Sequence, residues 1–474
     1  MLWFGSPLKG LSRKHRAFGR WVLVLALGAI AATACSADGR AVIENSPTET
    51  SANSETFDVS ECRFYPIYAE DGTEDTEPEP SILSIIQGEN VRLSPVMWEG
   101  KPCLQTASAL HSPNGSQIAT GDVDGIVRLW DTNGSQLDMR SPFDGPSWRT
   151  SYMVYSPDSR QLAIAGGRYH QVALWNPIED TMIGLSDELR GGIEYSPNSQ
   201  LLTILGVGGA VGLWDREGNS IAALEYPGQP ISLDADFNPS SDRIVTDGRD
   251  GTVRLWDTSG NQLAVLSGHQ GNFEQITYSP DGKQILTLMG DNVARLWDAN
   301  GNSQGTLSNY SQEIIRLAYS PDSQKIVTGG YRGEALLWNS RGHKLAALEG
   351  HSEEVRYVMF SPDGEQIATA SPEESTVRLW DSNGNPLAEI EAHPGGVTAL
   401  QYSPDNQMIV TGGRDDAVRL WDRSGKPLAA IESTPEDGGF LSFTTLSFSP
   451  NSDQLLVVGP LSDATYLWDI AFVK

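Results

Sequence analysis

Residues 355–392 read VRYVMFSPDGEQIATASPEESTVRLWDSNGNPLAEIEA, and this stretch contains one complete structural unit of the 474-residue chain. VRYVMF, QIATA, TVRLW and PLAEIEA read as four short strands with apolar residues at alternate positions. SPDGE, SPEES and DSNGN read as turns, because Pro presets φ, Gly permits a positive φ, and Asn-Gly favours a tight hairpin. Four antiparallel strands form one twisted sheet, and each sheet needs neighbours on both faces to bury its apolar residues.

The same unit recurs nine times from about residue 104 to the end of the chain. The first marker is a Trp followed by Asp or Asn, and it stands at Trp130, Trp175, Trp214, Trp256, Trp297, Trp338, Trp380, Trp421 and Trp468. The second marker is a tripeptide such as SPD, and it begins 18 or 19 residues before each of these Trp residues. Two markers in step predict nine four-stranded repeats.

Across roughly residues 104–474 the chain resembles the WD-repeat β-propeller family. The resemblance implies an all-β fold of four-stranded antiparallel blades, and we expect one closed ring of nine. The alternative is a ring of seven or eight blades with extra repeats, since four to eight is the usual range. The wording SPDGKQI at 279–285 and LWDTSGNQLAVLSGHQGN at 255–272 is similar to bacterial, especially cyanobacterial, WD proteins.

In this family a Trp, a strand Ser or Thr, a turn Asp and a His can form a hydrogen-bonded tetrad inside one blade. The positions that match are His269, Thr287, Asp291 and Trp297 in one repeat, and His393, Thr411, Asp415 and Trp421 in another. A third repeat has His351, Thr369 and Trp380 with Glu374 at the acid position, whereas other repeats keep the Trp without the His.

The two ends of the chain are expected to close the ring together. The ninth repeat ends just after its third strand, and the run NVRLSPVMW at 90–98 precedes the first repeat without a repeat of its own. We therefore expect residues 90–98 to supply the fourth strand of the last blade, which would protect both edges.

Residues 1–34 read as an export signal. Five basic residues precede WVLVLALGAIAATA at 21–34, an apolar run too short to span a bilayer, since a spanning helix needs about 20 residues. Ala32-Thr33-Ala34 fits an ordinary cleavage site, while the same residues with Cys35 resemble the lipobox of bacterial lipoproteins, although that family usually has Leu at the place of Ala32. Lipidation of Cys35 would explain an odd number of cysteines and leave Cys62 and Cys103 to form a disulfide; the alternative is two buried thiols.

Residues 35–89 are interpreted as an acidic, largely disordered tether, followed by the propeller at 90–474. From Glu44 to Glu79 there are eleven acids and one base, and such composition favours disorder. A short ordered piece is expected around residues 62–68.

Composition and motifs argue against several classes of function. The net charge of −28 would repel phosphate backbones, so nucleic acid is not expected as a partner. Motifs such as HExxH, GxSxG, CxxC and a Walker phosphate loop are not in the sequence, and its seven His do not form a metal-like cluster. We therefore expect no enzyme activity and no cofactor.

A basic and aromatic rim is the candidate partner surface. Arg168, Arg249, Arg332 and Arg414 stand in the turns between second and third strands, with Tyr169 and Tyr331 beside them. In related propellers these turns surround one mouth of the central channel. Arginine and aromatic side chains are enriched at binding hot spots. The alternative is that these arginines are solvated and paired with the local Asp residues.

The function favoured by these features is a non-catalytic protein- or peptide-binding scaffold, exported and held to the cell membrane or outer membrane by a lipid on Cys35. One alternative is a propeller hydrolase acting on peptides or glycans, which would need paired carboxylates in the channel. Another is a structural or assembly factor for an envelope complex. Fold alone does not choose among them.

Overall fold

The computed structural model describes residues 54–58, 82–87, 91–98, 104–105, 108–122, 125–143, 150–166, 171–185, 189–206, 211–224, 235–248, 251–269, 273–291, 293–307, 313–433, 445–458 and 464–472. Within these ranges the regular structure consists of β-strands, and there are no helices. Nine sheets of at least four strands make up nine blades, as the two sequence markers predict.

Four strands precede the first repeat: β1 (Ser54–Asp58), β2 (Ile82–Gln87), β3 (Val91–Pro95) and β4 (Leu104–Gln105). The repeats then follow in chain order. Blade 1 holds β5 (Ser108–His111), β6 (Gln117–Gly121), β7 (Val127–Asp131) and β8 (Gln136–Arg140); blade 2 holds β9 (Thr150–Tyr155), β10 (Leu162–Gly166), β11 (Gln171–Asn176) and β12 (Thr181–Leu185); blade 3 holds β13 (Leu189–Tyr195), β14 (Leu201–Gly206), β15 (Val211–Asp215) and β16 (Ser220–Leu224).

The strands of blades 4 to 9 follow in chain order. Blade 4 holds β17 (Ala235–Phe237), β18 (Arg243–Asp247), β19 (Val253–Asp257) and β20 (Gln262–Leu266); blade 5 holds β21 (Phe273–Tyr278), β22 (Gln284–Met289), β23 (Ala294–Asp298) and β24 (Ser303–Leu307); blade 6 holds β25 (Ile314–Tyr319), β26 (Lys325–Gly330), β27 (Ala335–Asn339) and β28 (Lys344–Ala347); blade 7 holds β29 (Tyr357–Phe360), β30 (Gln366–Ala370), β31 (Thr376–Asp381) and β32 (Pro386–Glu391); blade 8 holds β33 (Val397–Tyr402), β34 (Met408–Gly413), β35 (Ala417–Asp422) and β36 (Pro427–Ser433); blade 9 holds β37 (Thr445–Phe448), β38 (Gln454–Val458) and β39 (Ala464–Phe472).

The ring closes as the sequence predicts. β3 pairs with β39 in an antiparallel register from Val91↔Phe472 to Pro95↔Trp468, so it is the fourth strand of blade 9. Beyond this strand, Trp98 lies in one apolar cluster with residues of blades 1 and 9. Its ring packs edge-on against that of Trp130, with the two ring centroids 5.1 Å apart. The N-terminal segment therefore joins the last blade to the first.

β1 and β2 form a hairpin that adds to blade 8, which becomes a six-stranded sheet. β2 pairs with β36 from Leu83↔Ser433 to Gln87↔Ala429. Both strands lie within residues 35–89, the range that the sequence predicts to be a tether. The described part of the propeller thus reaches back to Ser54, and the ordered piece expected at 62–68 lies outside the described residues.

The core lies between blades rather than at the channel. Each apolar cluster combines residues of two neighbours; one of them joins Leu286, Leu288 and Leu296 of blade 5 to Ile326 and Trp338 of blade 6. Because every blade buries both of its faces in this way, no blade has a core of its own.

Polar bridges between blades accompany this packing. In five turns the residue after the SPD-like tripeptide is a serine with φ of 60–64°, at Ser159, Ser199, Ser241, Ser323 and Ser452. Each hydroxyl accepts a hydrogen bond of 2.9–3.0 Å from a backbone N–H in the corresponding turn of the preceding blade. Across the closure, Gln454 of blade 9 donates to the carbonyl of Thr132 in blade 1 at 2.7 Å.

Candidate functional site

The candidate site lies at one end of the propeller, here called the upper mouth. First strands begin at this end and second strands return to it, so the turns between second and third strands lie there, together with the loops that enter the next blades. The SPD-like turns and the turns after the Trp-Asp markers lie at the opposite end, the lower mouth.

The tetrad of blade 8 is assembled as the resemblance implies. Trp421 Nε1 donates to Thr411 Oγ1 at 2.9 Å, His393 Nε2 lies 2.7 Å from the same oxygen, and His393 Nδ1 lies 2.7 Å from Asp415 Oδ1. Thr411 and His393 are fully buried. The four side chains therefore form a chain of hydrogen bonds from the blade interior to the upper mouth.

Blade 5 repeats this arrangement with a longer last contact. Trp297 Nε1 donates to Thr287 Oγ1 at 2.8 Å, and His269 Nε2 lies 2.6 Å from that oxygen, but His269 Nδ1 is 3.4 Å from Asp291. Burial, together with the positive charge of Arg295, lowers the pKa of His269 to about 4. This histidine is therefore neutral at physiological pH.

In blade 7 a glutamate replaces the aspartate. His351 Nε2 lies 2.9 Å from Thr369 Oγ1, and its Nδ1 contacts Glu374, whose carboxylate also accepts the amide N–H of Ser352 at 2.5 Å. Burial opposes ionisation, but the hydrogen bonds from His351 and Ser352 lower the pKa of Glu374 to about 2. The longer side chain thus completes this tetrad as an ionised carboxylate.

Two regular contacts occur in addition to the complete tetrads. A Trp–Thr hydrogen bond of 2.8–2.9 Å also forms in blades that lack the His, at Trp130–Thr120, Trp256–Thr246 and Trp338–Thr328. An Arg two residues before the Trp pairs with the turn acid, as in Arg295–Asp291 at 2.8 Å and Arg419–Asp415 at 2.5 Å. Both contacts could have been predicted from the sequence, because the Thr and the Arg stand at regular spacings before the Trp.

The structure describes three of the six residues that were predicted to form the rim. Tyr331, Arg332 and Arg414 lie at the upper mouth in blades 6 and 8, whereas Arg168, Tyr169 and Arg249 lie outside the described residues, as do Cys35, Cys62 and Cys103. Tyr331 is 46% exposed. Arg414 forms a two-point ion pair with Glu373 of blade 7, at 2.7 and 3.2 Å, so its partner is a glutamate of the neighbouring blade and not a local Asp.

Three further residues join this rim from the innermost strands, and we call Arg316, Tyr331, Arg356, Tyr357 and Arg414 the arginine–tyrosine cluster. Arg356 immediately precedes β29 and pairs with Glu354 at 2.5 Å, and the Tyr357 hydroxyl donates to the carbonyl of Thr398 in blade 8 at 2.5 Å. Tyr357 is within electrostatic range of Arg356, Arg316 and Arg414. These three were not predicted from the sequence, because they lie in or next to first strands and not in the turns between second and third strands.

The charges in this cluster affect one another. Burial lowers the pKa of the Arg316 guanidinium, and the nearby Arg356 acts in the same direction. Burial raises the pKa of Tyr357, although all three arginines oppose it. Three cations thus converge at one part of the mouth, with Glu274, Glu354 and Glu373 beside them.

A second polar feature is a carboxyl pair on the innermost strands of blades 3 and 4. Asp236 hydrogen-bonds Glu194, and its Oδ2 accepts the amide N–H of Tyr278 in blade 5 at 3.2 Å. Burial raises the pKa of Asp236 to about 6. Two carboxyl groups within hydrogen-bonding distance can bridge blades or can act in acid–base chemistry.

Two kinds of feature are absent from the described ranges. Nowhere in them do three or more His, Cys, Asp or Glu side chains form a group that could hold a metal ion. The same residues contain no helix of the length and apolar character needed to cross a bilayer.

Comparison with known proteins places this geometry in a family. The family model of the IFT122 first beta-propeller matches residues 193–469, and the model of the WD domain, G-beta repeat, matches residues 103–131. WD repeat-containing protein 1 of Gallus gallus is 31% identical over 75 residues, which are 15% of this chain and 12% of that protein, and its Bos taurus counterpart gives the same values. The chain thus spans only a small part of these relatives.

A solved structure agrees in fold. The C-terminal WD40 domain of Sif2 superposes with a TM-score of 0.54 at 16% identity, covering 80% of this chain and 98% of that domain. One family model spans more than half of the sequence, from residue 193 to residue 469, and the nine blades carry the markers of that fold. This chain belongs to the WD-repeat β-propeller family.

Proposed function

We propose that this protein is a non-catalytic scaffold of the cell envelope that binds a protein or peptide partner at the upper mouth of its propeller. WD40 propellers are typically protein-interaction scaffolds, and the finer assignment rests on the arginine–tyrosine cluster. Arginine and tyrosine side chains at the centre of an interface contribute much of the binding energy. Arg356 and Arg414 each pair with one glutamate, and their remaining N–H donors favour a partner with an acidic and aromatic segment.

The attachment of the N-terminal arm supports display of this mouth. The first described strand, β1, pairs with β2, and β2 pairs with β36 at the outer edge of blade 8; β3 then lies at the outer edge of blade 9. The described strands of this arm lie on the circumference and cover neither mouth. A lipid on Cys35, proposed from the export signal, would then hold the scaffold to a membrane without covering the cluster.

Charge reversal tests the proposed site. We expect the double variant Arg356→Glu, Arg414→Glu to lose partner capture in crosslinking from native membranes, because like charges would face the acidic segment. Arg341→Glu is the matched control, since Arg341 is an exposed arginine in a turn at the lower mouth. Capture that persists in the double variant, or fails equally in the control, would exclude the cluster as the binding site.

A hydrolase is the second candidate, because Asp236 and Glu194 form the kind of carboxyl pair that such chemistry needs. A general acid works best with a pKa near the operating pH, and burial raises the pKa of Asp236 towards it. Turnover of peptides or glycans by the purified chain, lost in Asp236→Asn, would support the hydrolase. The scaffold proposal expects no turnover in either form.

A further inference from the structure

The outer edge of blade 7 closely repeats an edge that this chain already covers with an added strand. β32 begins PLAEIE and β36 begins PLAAIE, so Glu389 stands where blade 8 has Ala430 and the other five residues are identical. The remaining seven repeats do not contain this PLAxIE pattern. β36 is paired along its outer side by β2, with Ile86 opposite Ala430 and Ser84 opposite Glu432.

The two edges differ in exposure at the same residue. Leu428 of β36 is 7% exposed where β2 pairs with the edge and β3 packs beside it, while Leu387 of β32 is 55% exposed. Beside Leu387 a cavity of about 240 Å³ is lined by Trp380, Pro386 and Glu389, among others. Blade 7 therefore has the form of blade 8 without the additional strand.

Among the described residues no strand pairs with the outer side of β32, so its outward backbone groups are available to a new strand. The Ala392 amide donates inward to the Ser375 carbonyl at 2.8 Å, and amides along a strand alternate in direction. The amides of Glu389 and Glu391 therefore point outward. An open row of this kind is a template for an incoming strand.

The charge of this edge selects the incoming segment. Glu349, Glu389 and Glu391 lie along it as exposed carboxylates, while Arg378 is paired with Glu389 at 2.6 Å. Three acids and one base favour a basic residue in the new strand, opposite Glu389, where β2 has Ile86 opposite Ala430.

We propose that β32 binds an extended segment of a partner polypeptide by β-strand addition, and that this segment has alternating apolar residues with a Lys or Arg opposite Glu389. This surface lies on the circumference and is separate from the arginine–tyrosine cluster. The protein thereby has two binding surfaces, which a scaffold can use together.

The probe is a fluorescent peptide of residues 81–88 in which Ile86 is replaced by Lys, titrated into the full chain by anisotropy. We expect saturable binding, with photocrosslinks to residues 386–391. Glu389→Pro removes one outward amide and should weaken binding about tenfold. Val265→Pro is the matched control, because it changes the equivalent position of β20 in blade 4, also after an alanine.

A charge exchange gives an independent readout. Glu389→Lys should bind the peptide that carries Glu in place of Ile86 better than the peptide that carries Lys. Absence of binding, an equal loss in Val265→Pro, or crosslinks to β36 in place of β32 would each overturn the proposal. Melting curves of both proline variants show whether the ring stays folded.

Discussion

The tetrads illustrate how single buried polar groups govern blade stability. Thr411 Oγ1 serves two partners, since Trp421 Nε1 donates to it at 2.9 Å and His393 Nε2 lies 2.7 Å away. Among the described residues, Thr120 Oγ1 in blade 1 has one side-chain partner, Trp130 Nε1, at 2.8 Å. A buried polar group without a partner costs about 1–3 kcal/mol, so the number of partners sets the expected cost of losing the hydroxyl.

Thr411→Val should therefore destabilise the protein more than Thr120→Val does. We expect a loss of about 2–5 kcal/mol for Thr411→Val and about 1–3 kcal/mol for Thr120→Val, because two groups and one group respectively lose their hydrogen bond. Denaturant midpoints of the two variants measure the difference. Equal losses would mean that the His393 contact adds nothing to the stability of blade 8.

The low pKa of His269 gives the stability of blade 5 a pH dependence. Burial lowers this pKa from 6.5 to about 4, so as pH falls the unfolded chain takes up the proton before the folded chain does. The stabilisation is complete above about pH 6.5 and is lost progressively down to about pH 4, by roughly 3 kcal/mol in total. His269→Gln should reduce the fall in melting temperature between pH 7 and pH 4, whereas His343→Gln, an exposed control, should not.

Among the strands, the first of blade 1 is an exception in the series. In other blades the first strand ends in Tyr or Phe, and two of these tyrosines bind a Gln of the preceding blade, Tyr195 to Gln161 at 2.9 Å and Tyr402 to Gln366 at 2.9 Å. Blade 1 has His111 there, and both of its ring nitrogens and Gln454 Oε1 are buried without a hydrogen-bond partner among the described residues. The closure between blades 9 and 1 therefore lacks the bond that these two junctions have.

His111→Tyr should supply that bond and stabilise the protein by about 1 kcal/mol, since a hydroxyl at this position would reach Gln454. The reciprocal change, Tyr195→His, should destabilise the junction of blades 2 and 3 by a similar amount or more. Thermal melting of both variants tests the pair. A lower melting temperature for His111→Tyr would show that the closure has no room for the longer side chain.

The strand prediction succeeded where local patterns are strong. In blade 7 the second strand was predicted at its observed bounds, Gln366–Ala370, while the first began at 357 rather than 355. The nine blades and the pairing of residues 91–95 with the last strand were also confirmed. β1 and β2 were not predicted, because β2 pairs with β36, more than 300 positions away, and β1 pairs with β2, so neither depends on local composition.

Only those residues of the candidate site that lie in turns could be predicted from the sequence. Tyr331 and Arg414 were found from their spacing before a Trp, but Arg356 and Tyr357 belong to a strand entrance. Their proximity to Arg414 results from the angle between blades 7 and 8. Spacing along one chain does not reveal such a cluster, since its members come from three blades.

At the level of the ring, the N-terminal arm combines two roles that truncation can separate. β3 completes blade 9, and Val96 and Trp98 lie in the cluster that joins blade 9 to blade 1, while β1 and β2 only extend blade 8. A chain that starts at residue 90 keeps the closure, and a chain that starts at residue 100 loses it.

We expect the chain from residue 90 to stay monomeric and folded with a modest loss of stability. The chain from residue 100 should melt at a much lower temperature and associate, because it exposes the edge of β39 and the apolar cluster around Trp468. Light scattering and thermal melting distinguish these outcomes. If both truncated chains were equally stable, the strand supplied by residues 91–95 would not hold the ring together, and packing between blades 9 and 1 would suffice for closure.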